Sequence, residues 1–400
     1  MVTREPRAHE SEDKRRVTVD VVDGEALWFE VGAEHGSLLT DRADHVGMAL
    51  LMPAMRAGVP LHIGGVVTDV LLHQMNHDLQ DLLLCMSPAF HRVTVSADEA
   101  APATAAAEGV ATGLSNGVDS LSVISDYALR EDVPRSLRIT HLINNNVGAH
   151  GRNGHELWRR RVEGPRRLAE ELGLPLVLID SNIEVHYPKI GFSYSATMRN
   201  AAAAHLTAGG IGRLLYASSN NFKDVRVRAG GEISRIDTLI LPLLSTPQMT
   251  LTSAGSGVTR IEKILALADR PQMRYLEVCI GEDPEGPLNC SHCTKCARTM
   301  LTLEIAGRLE EFTPEPFRME PYLARRDGYL VDLLSVDSGL AGEVIEFASQ
   351  RGFRFSVGTR LRAALRKARR AGRRRAREWR DRVRRRRSAR NPPHSGAGRP

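Results

Sequence analysis

Two stretches of the chain carry residue types and spacings suited to chemistry. The first is Cys279, Cys290, Cys293 and Cys296, arranged C-x10-C-x2-C-x2-C. Thiolates at x2 spacing can wrap a turn around one ion, and a more distant fourth closes a tetrahedron. That set suits a structural zinc site with no open position. An iron–sulfur cluster is a competing occupant, because cysteine ligation suits it too. Free redox thiols are a third reading, disfavoured by four ligands at this spacing.

The second stretch is residues 109–120, GVATGLSNGVDS. Residues 110–114 form a short apolar run fit for a buried parallel strand. Ser115, Asn116 and Gly117 make a small-residue turn, and Asp119 opens a run with Val118, Leu121, Val123 and Ile124 at apolar positions. A strand, a tight turn and a helix start bring backbone N–H groups without helical partners to one place. The helix dipole adds partial positive charge, so the site suits a phosphate. Ser115 and Ser120 supply hydroxyl donors, and Asp119 could hold a divalent metal bridging phosphates. An ordinary turn capped by Ser115 or Asp119 is the plainer alternative.

The elements that must position these residues follow from hydrophobic patterning. From Val110 onward, strand candidates at 110–114, 138–144, 175–179, 212–217, 239–243 and 274–279 alternate with helix candidates at 119–130, 154–172, 194–208 and 256–268. Such alternation predicts an α/β fold with a parallel sheet flanked by helices. Ligands of these sheets sit outside the carboxyl ends of the strands. Those ends are polar here: 144–151 (NNNVGAHG), 180–182 (DSN) and 218–221 (SSNN). One Asn cluster is an ordinary turn. Three at equivalent strand ends predict one site lined by hydrogen-bonding groups, with Asn144, Asn146, Ser219 and Asn220 among them. Asp180 reads equally as a second metal ligand or a cap.

Before this region, residues 1–15 read as disordered and 16–100 as a small α/β module. It has strands at 17–22, 26–31, 61–63 and 91–95, and helices from Asp41 to beyond Met55 and over 69–84. His73 and His77, four apart, have metal-pair spacing but no visible third ligand, and read as a polar helix face. Cys85 reads as a buried small hydrophobe. The Ala-rich 100–107 reads as a linker, 108–310 as the main α/β domain with the four-cysteine metal site, and 311–358 as a helical extension. Of the net charge of +6, residues 360–390 supply +15 (seventeen Lys or Arg against Glu378 and Asp381) and Arg399 one more, which leaves −10 on residues 1–359. A nucleic-acid or anionic-lipid reading therefore rests on the tail 359–400 alone, for which a disordered, solubilising role is the alternative. No apolar run is long enough for a membrane span and the N-terminus is charged, so the expectation is a soluble, cytoplasmic protein.

Ser115-Asn116-Gly117-Val118-Asp119-Ser120 resembles the SGGxDS pyrophosphate loop of the PP-loop ATP pyrophosphatases, the adenine nucleotide alpha hydrolase fold. Asn116 stands where that family usually has Gly, and Asn is the non-Gly residue that best tolerates a left-handed backbone. Thr259-Arg260 is similar to the Thr-Lys pair that begins a helix in enzymes resembling 7-cyano-7-deazaguanine synthase, with Arg replacing Lys. The cluster 289–296 (NCSHCTKC) resembles the cysteine cluster that holds zinc in that group. The likeness covers roughly residues 105–310. It implies a Rossmann-like three-layer fold binding ATP and Mg2+ through residues 115–120, with Asp119 and Arg260 catalytic and structural Zn2+ on the four cysteines. The activity implied is cleavage of ATP to AMP and pyrophosphate, activating a carboxylate or amide oxygen of a small-molecule acceptor for attack by a nitrogen nucleophile. A tRNA-modifying PP-loop enzyme, holding RNA with the tail, and a non-catalytic nucleotide-binding protein are the alternatives. A homo-oligomer is compatible with all three.

Overall fold

The computed structural model describes the whole chain except residues 152–153, 280, 282–285, 337–338 and 391–400, and for 374–390 only the helical backbone. Its strands are β1 (Arg7–Glu10), β2 (Lys14–Val19), β3 (Leu27–Gly32), β4 (Leu61–Thr68), β5 (Val95–Ala101), β6 (Gly109–Gly113), β7 (His141–Asn146), β8 (Leu176–Ser181), β9 (Ile211–Ala217) and β10 (Thr250–Ala254). Helices α1 (Asp44–Ala57), α2 (Asp69–Asn76), α3 (Asp78–Met86), α4 (Val118–Tyr127), α5 (His155–Arg161), α6 (Glu163–Leu172) and α7 (Ala196–Leu206) are interleaved with them. They are followed by α8 (Asp237–Leu243), α9 (Arg260–Ala268), α10 (Thr294–Ile305), α11 (Met319–Leu334), α12 (Gly339–Gln350) and α13 (Val357–Arg390).

Eight strands form one sheet in the order β1-β2-β3-β8-β7-β6-β9-β10. From β8 to β10 every pairing is parallel, while β3 joins β8 antiparallel. Successive strand residues face opposite layers, as the two-residue period of a strand requires. Val110, Leu142 and Leu215 enter a core with α4, α9 and α10. Their neighbours Ala111, Ile143 and Leu214 enter the other core, with α1 and α7. The result is a large, mostly parallel sheet between two helical layers, an arrangement compatible with a Rossmann-like three-layer fold.

Chain order within the parallel part runs β6 to β7 to β8 in one direction and β6 to β9 to β10 in the other. The direction reverses beside β6, which makes its carboxyl end the topological switch point, the place where open α/β sheets take ligands. The turn 114–117 leaves from there.

Several expectations change. Residues 7–10 form a strand paired with β2, within the segment read as disordered. The first three strands continue the main sheet rather than standing apart, because β3 satisfies the edge of β8. Only β4 and β5 form a separate two-stranded sheet. Residues 239–243 are helical in α8, not a strand; a five-residue apolar run has no periodicity to tell the two apart, and Pro242 is poorly suited to a central strand. The fifth parallel strand is β10, whose pattern iBeiB buries few residues and gives a weak signal. Residues 271–275 form a short 3-10 helix, and 276–279 run on without ladder pairing. The expected helix 154–172 is divided into α5 and α6 at Val162, and 69–84 into α2 and α3 at His77. Cys85 is exposed, not buried.

Past the sheet, α10, α11 and α12 share a third apolar cluster containing Leu301, Tyr329, Leu330, Val344 and Phe347. The basic helix α13 begins docked: Ala363 is buried, and Arg366 pairs with Asp332 of α11. No helix among the described residues is long and apolar enough to cross a membrane.

Candidate phosphate and metal site

Asn116 has φ 54°, which puts the only sharp left-handed turn residue of the loop at the position where a glycine would be cheapest. Its carbonyl accepts from Glu277 N at 2.8 Å, tying the loop to the strand-like run before Cys279. The turn also stitches itself together: Ser120 Oγ donates to Gly117 O at 3.0 Å, and Ser115 N donates to Ser120 Oγ at 3.4 Å. Gly117 caps α4 with no side-chain cap, so the first-turn N–H groups of α4 keep their outward donors. Ser115 is exposed, and Gly117 and Asp119 are partly so. The loop therefore reaches solvent.

The charge pattern around Asp119 is distinctive. Arg260 Nη2 lies 2.7 Å from one carboxylate oxygen and Lys263 Nζ 3.1 Å from the other. Both cations come from the first turn of α9, which is started by a capping box between Thr259 and Glu262. Lys263 is buried, and its ammonium also donates to Ser218 O at 2.6 Å, the residue just past β9. Arg260 Nε is buried and has no hydrogen-bond partner. Two further cations from α10, Lys295 and Arg298, lie within electrostatic range of Asp119 and Arg260. Desolvation first, then the charge of Arg260, holds the half-buried Arg298 below the usual Arg range, while Lys295 is exposed. Neither side chain has a hydrogen-bond partner among the described residues. Four cations thus lie around Asp119 at a helix N-terminus, with Glu343, which accepts from Arg260 N at 3.0 Å, as a second carboxylate; the remaining excess favours a polyanion.

The other residues singled out from sequence divide into two kinds. Asn144 spends its amide inside the protein, donating to Leu114 O at 2.6 Å and accepting from Trp158 Nε1 at 2.7 Å. It fixes the start of the loop rather than offering a free donor. Asn146 donates to Asp180 Oδ1 at 2.7 Å, and Asp180 faces His155 Nδ1 at 3.3 Å. Ser219 and Asn220 bond to each other, and Asn220 also to Ser234, on the β9 side of the loop. All of these do lie at the carboxyl ends of β6, β7, β8 and β9, which are neighbours in the sheet.

Sequence reading passed over the partners from α5. His155, Trp158 and Arg161, three apart on one helix, reach Asp180, Asn144 and Glu277 respectively. Burial pushes the Glu277 carboxyl up to about 7, against the pull of Arg161 at 3.1 Å. The i, i+3 spacing was the available signal, obscured by the surrounding Arg-rich run. Lys295 was legible only as a residue between two cysteines.

The four cysteine sulfurs lie within 4.8 Å of one another. Backbone N–H groups point at them: Gly281 N to Cys279 Sγ and Cys293 N to Cys290 Sγ, each at 3.2 Å, and Cys296 N to Cys293 Sγ at 3.5 Å. Ser291, at φ 62°, makes the bend between Cys290 and Cys293. Donors aimed at sulfur favour thiolates, while the hydrogen bond with Cys293, then burial, then the charges of the neighbouring sulfurs push the Cys296 thiol far up when no cation offsets them. The donor set fits a tetrahedral metal such as zinc. It would pin the run after α9 to the N-terminus of α10, and so set where Lys295 and Arg298 stand. His73 and His77 stack on each other with centroids 4.3 Å apart and belong to no such cluster among the described residues.

Two cavities are formed elsewhere. One of about 270 Å³ lies between α1, α3 and residues 189–194, and one of about 350 Å³ lies past β7 and β8. Neither is lined by residues 115–120. No family model, curated protein or solved structure matches the chain.

Proposed function

We propose that the protein is an ATP-dependent adenylating enzyme that binds the nucleotide's phosphates at 115–120 and transfers AMP to an oxygen of a small-molecule acceptor, releasing pyrophosphate. The observation that carries this reading is the surplus of positive charge around Asp119, supplied by α9 and α10, beside a strand–turn–helix loop at the switch point of the sheet.

On this reading Arg260 and Lys263 exchange the Asp119 carboxylate for phosphate oxygens. Asp119 is then free to hold a divalent cation such as Mg2+, whose Lewis acidity would help neutralise the departing pyrophosphate. The loop N–H groups, Ser115 and the four cations stabilise charge that grows on the leaving group. The acceptor oxygen supplies the nucleophile, so the chain itself need only position, desolvate and neutralise. The four cysteines have a structural part, holding α10 in place with zinc.

The test is pyrophosphate release with ATP and Mg2+ over a panel of carboxylate and amide acceptors, comparing wild type with Asp119→Ala. Acceptor-dependent release that falls by about 100-fold or more in the variant is the expected result. Equal release from both proteins would overturn it.

A further inference from the structure

The cavity past β7 and β8 is lined by Gly148, Glu184, Tyr187, Lys189, Phe192 and Arg199, with Gly151 and Pro188. Arg199, on α7, is only 3% exposed. A guanidinium this deep normally has a carboxylate against it, because an unpaired buried charge is costly. Among the described residues none lies within ion-pair distance. Its three nitrogens bond instead to neutral oxygens: Nη1 to Val147 O at 3.0 Å, Nη2 to Ile190 O at 3.3 Å and Nε to Ser195 Oγ at 2.9 Å. Those contacts use three of the five N–H groups an arginine carries, leaving two. The face of the group stacks on Tyr187 at 4.1 Å and is near Phe192 at 5.5 Å.

Three further features converge. The Tyr187 hydroxyl is buried and has no hydrogen-bond partner. Lys189 is exposed at the cavity wall and adopts φ 66°, unusual for a residue with a side chain. Gly148, at φ +94°, packs so closely on Arg199 and Glu184 that a Cβ there would displace one of them. Glu184 also lines the wall and offsets part of this charge. Among the described lining residues, two cations stand against one carboxylate.

We infer that this cavity is a binding site for a small organic carboxylate, held by the spare N–H groups of Arg199 and by Lys189 against the rings of Tyr187 and Phe192. The inference rests on the adenylating reading for its role but not for its existence. Asn144 touches the phosphate loop and Val147 touches Arg199. Three residues of extended chain span about 10 Å. The carboxylate bound here is therefore set apart from the loop residues that would hold the phosphates. It anchors the acceptor by an acidic end remote from the activated one.

The experiment is a calorimetric titration of the full chain, without nucleotide, using benzoate and its uncharged counterpart benzamide. Wild type, Lys189→Gln, Arg199→Gln and Asp119→Ala are compared, each checked by thermal unfolding. Benzoate should bind at least about tenfold more tightly than benzamide. Lys189→Gln should weaken benzoate by about two- to fivefold while remaining folded, and Arg199→Gln, where it folds, should weaken it further. Asp119→Ala should bind benzoate as wild type does. Absence of benzoate binding at millimolar concentration, equal binding of the two probes, or an unchanged Lys189→Gln would each overturn the site. Benzoate binding without any pyrophosphate release would leave the anion site standing and count against the adenylating reading alone.

Discussion

Asn116 shows how a single backbone angle bears on the account. Its φ of 54° costs a side-chain residue about 1 kcal/mol or more unless the residue is Asn or Gly. Asn116→Gly is therefore expected to keep ATP affinity within about twofold, while Asn116→Val should strain the turn by about 1–3 kcal/mol and lose affinity with it. Titration of ATP with thermal unfolding of both variants checks this, and equal behaviour of the two would show that the angle is unimportant. Asp237 offers a second test at this scale. It is buried, accepts from Thr197 Oγ1 at 2.7 Å and leaves its other oxygen unpartnered, and burial raises its pKa from the ordinary 3.8 to about 7. The folded state thus holds a proton that the unfolded chain releases. This contribution is complete below about pH 3.8 and is lost as pH rises through about 7, a difference on the order of 4 kcal/mol. Asp237→Asn removes the titration. Urea unfolding at pH 5 and pH 8 should show wild type losing stability, relative to the variant, at the higher pH; parallel profiles would contradict the assignment.

At the scale of elements, α10 links the candidate metal site to the candidate phosphate loop. It begins at the cysteine cluster, carries Lys295 and Arg298 in its first turns, and packs its far side into the cluster with α11 and α12. Cys293→Ser is expected to lose bound metal, lower the unfolding temperature and weaken ATP binding together. Metal analysis, thermal unfolding and titration would measure the three, and loss of metal with unchanged ATP affinity would uncouple the sites. The cysteines were legible because their chemistry and spacing are local. The strands at 110–114, 175–179 and 212–217 were legible because apolar runs bounded by turns have few other uses. What the sequence hid was long-range. Arg260 was visible as a charge, but its contact with Asp119 spans 141 residues, and no pattern along the chain announces it. The β10 strand was hidden for a different reason: residues 239–243 are more apolar and imitate the strand they are not.

For the molecule as a whole, the N-terminal hairpin and the parallel strands share a sheet and one of its cores, with Phe29, Ile143 and Leu251 in the same cluster. The region before residue 100 is thus part of what supports the strand ends. Acid works on that core in the opposite sense to Asp237. His45, wholly buried on α1, is held at about 4 by desolvation, so its contribution is present above its ordinary value of 6.5 and is lost as pH falls through about 4. The two contributions are lost in opposite directions over the same interval, between about pH 4 and pH 7, so each partly offsets the other there. Among the described residues the basic tail joins this body through Ala363, Arg366 and Arg370, against α11 and Ser335 at its end. Residues 1–359 carry a net negative charge, yet four cations gather around Asp119. That local excess, opposite in sign to the net charge of residues 1–359, is the feature on which the account turns.

The most direct measurement is a calorimetric titration of the full chain with ATP and Mg2+, comparing wild type with Lys295→Ala and Arg298→Ala. The account predicts saturable binding that inorganic pyrophosphate competes away, each variant weaker by about tenfold or more with its metal content unchanged. Absence of ATP binding, or variants that bind as wild type does, would contradict it.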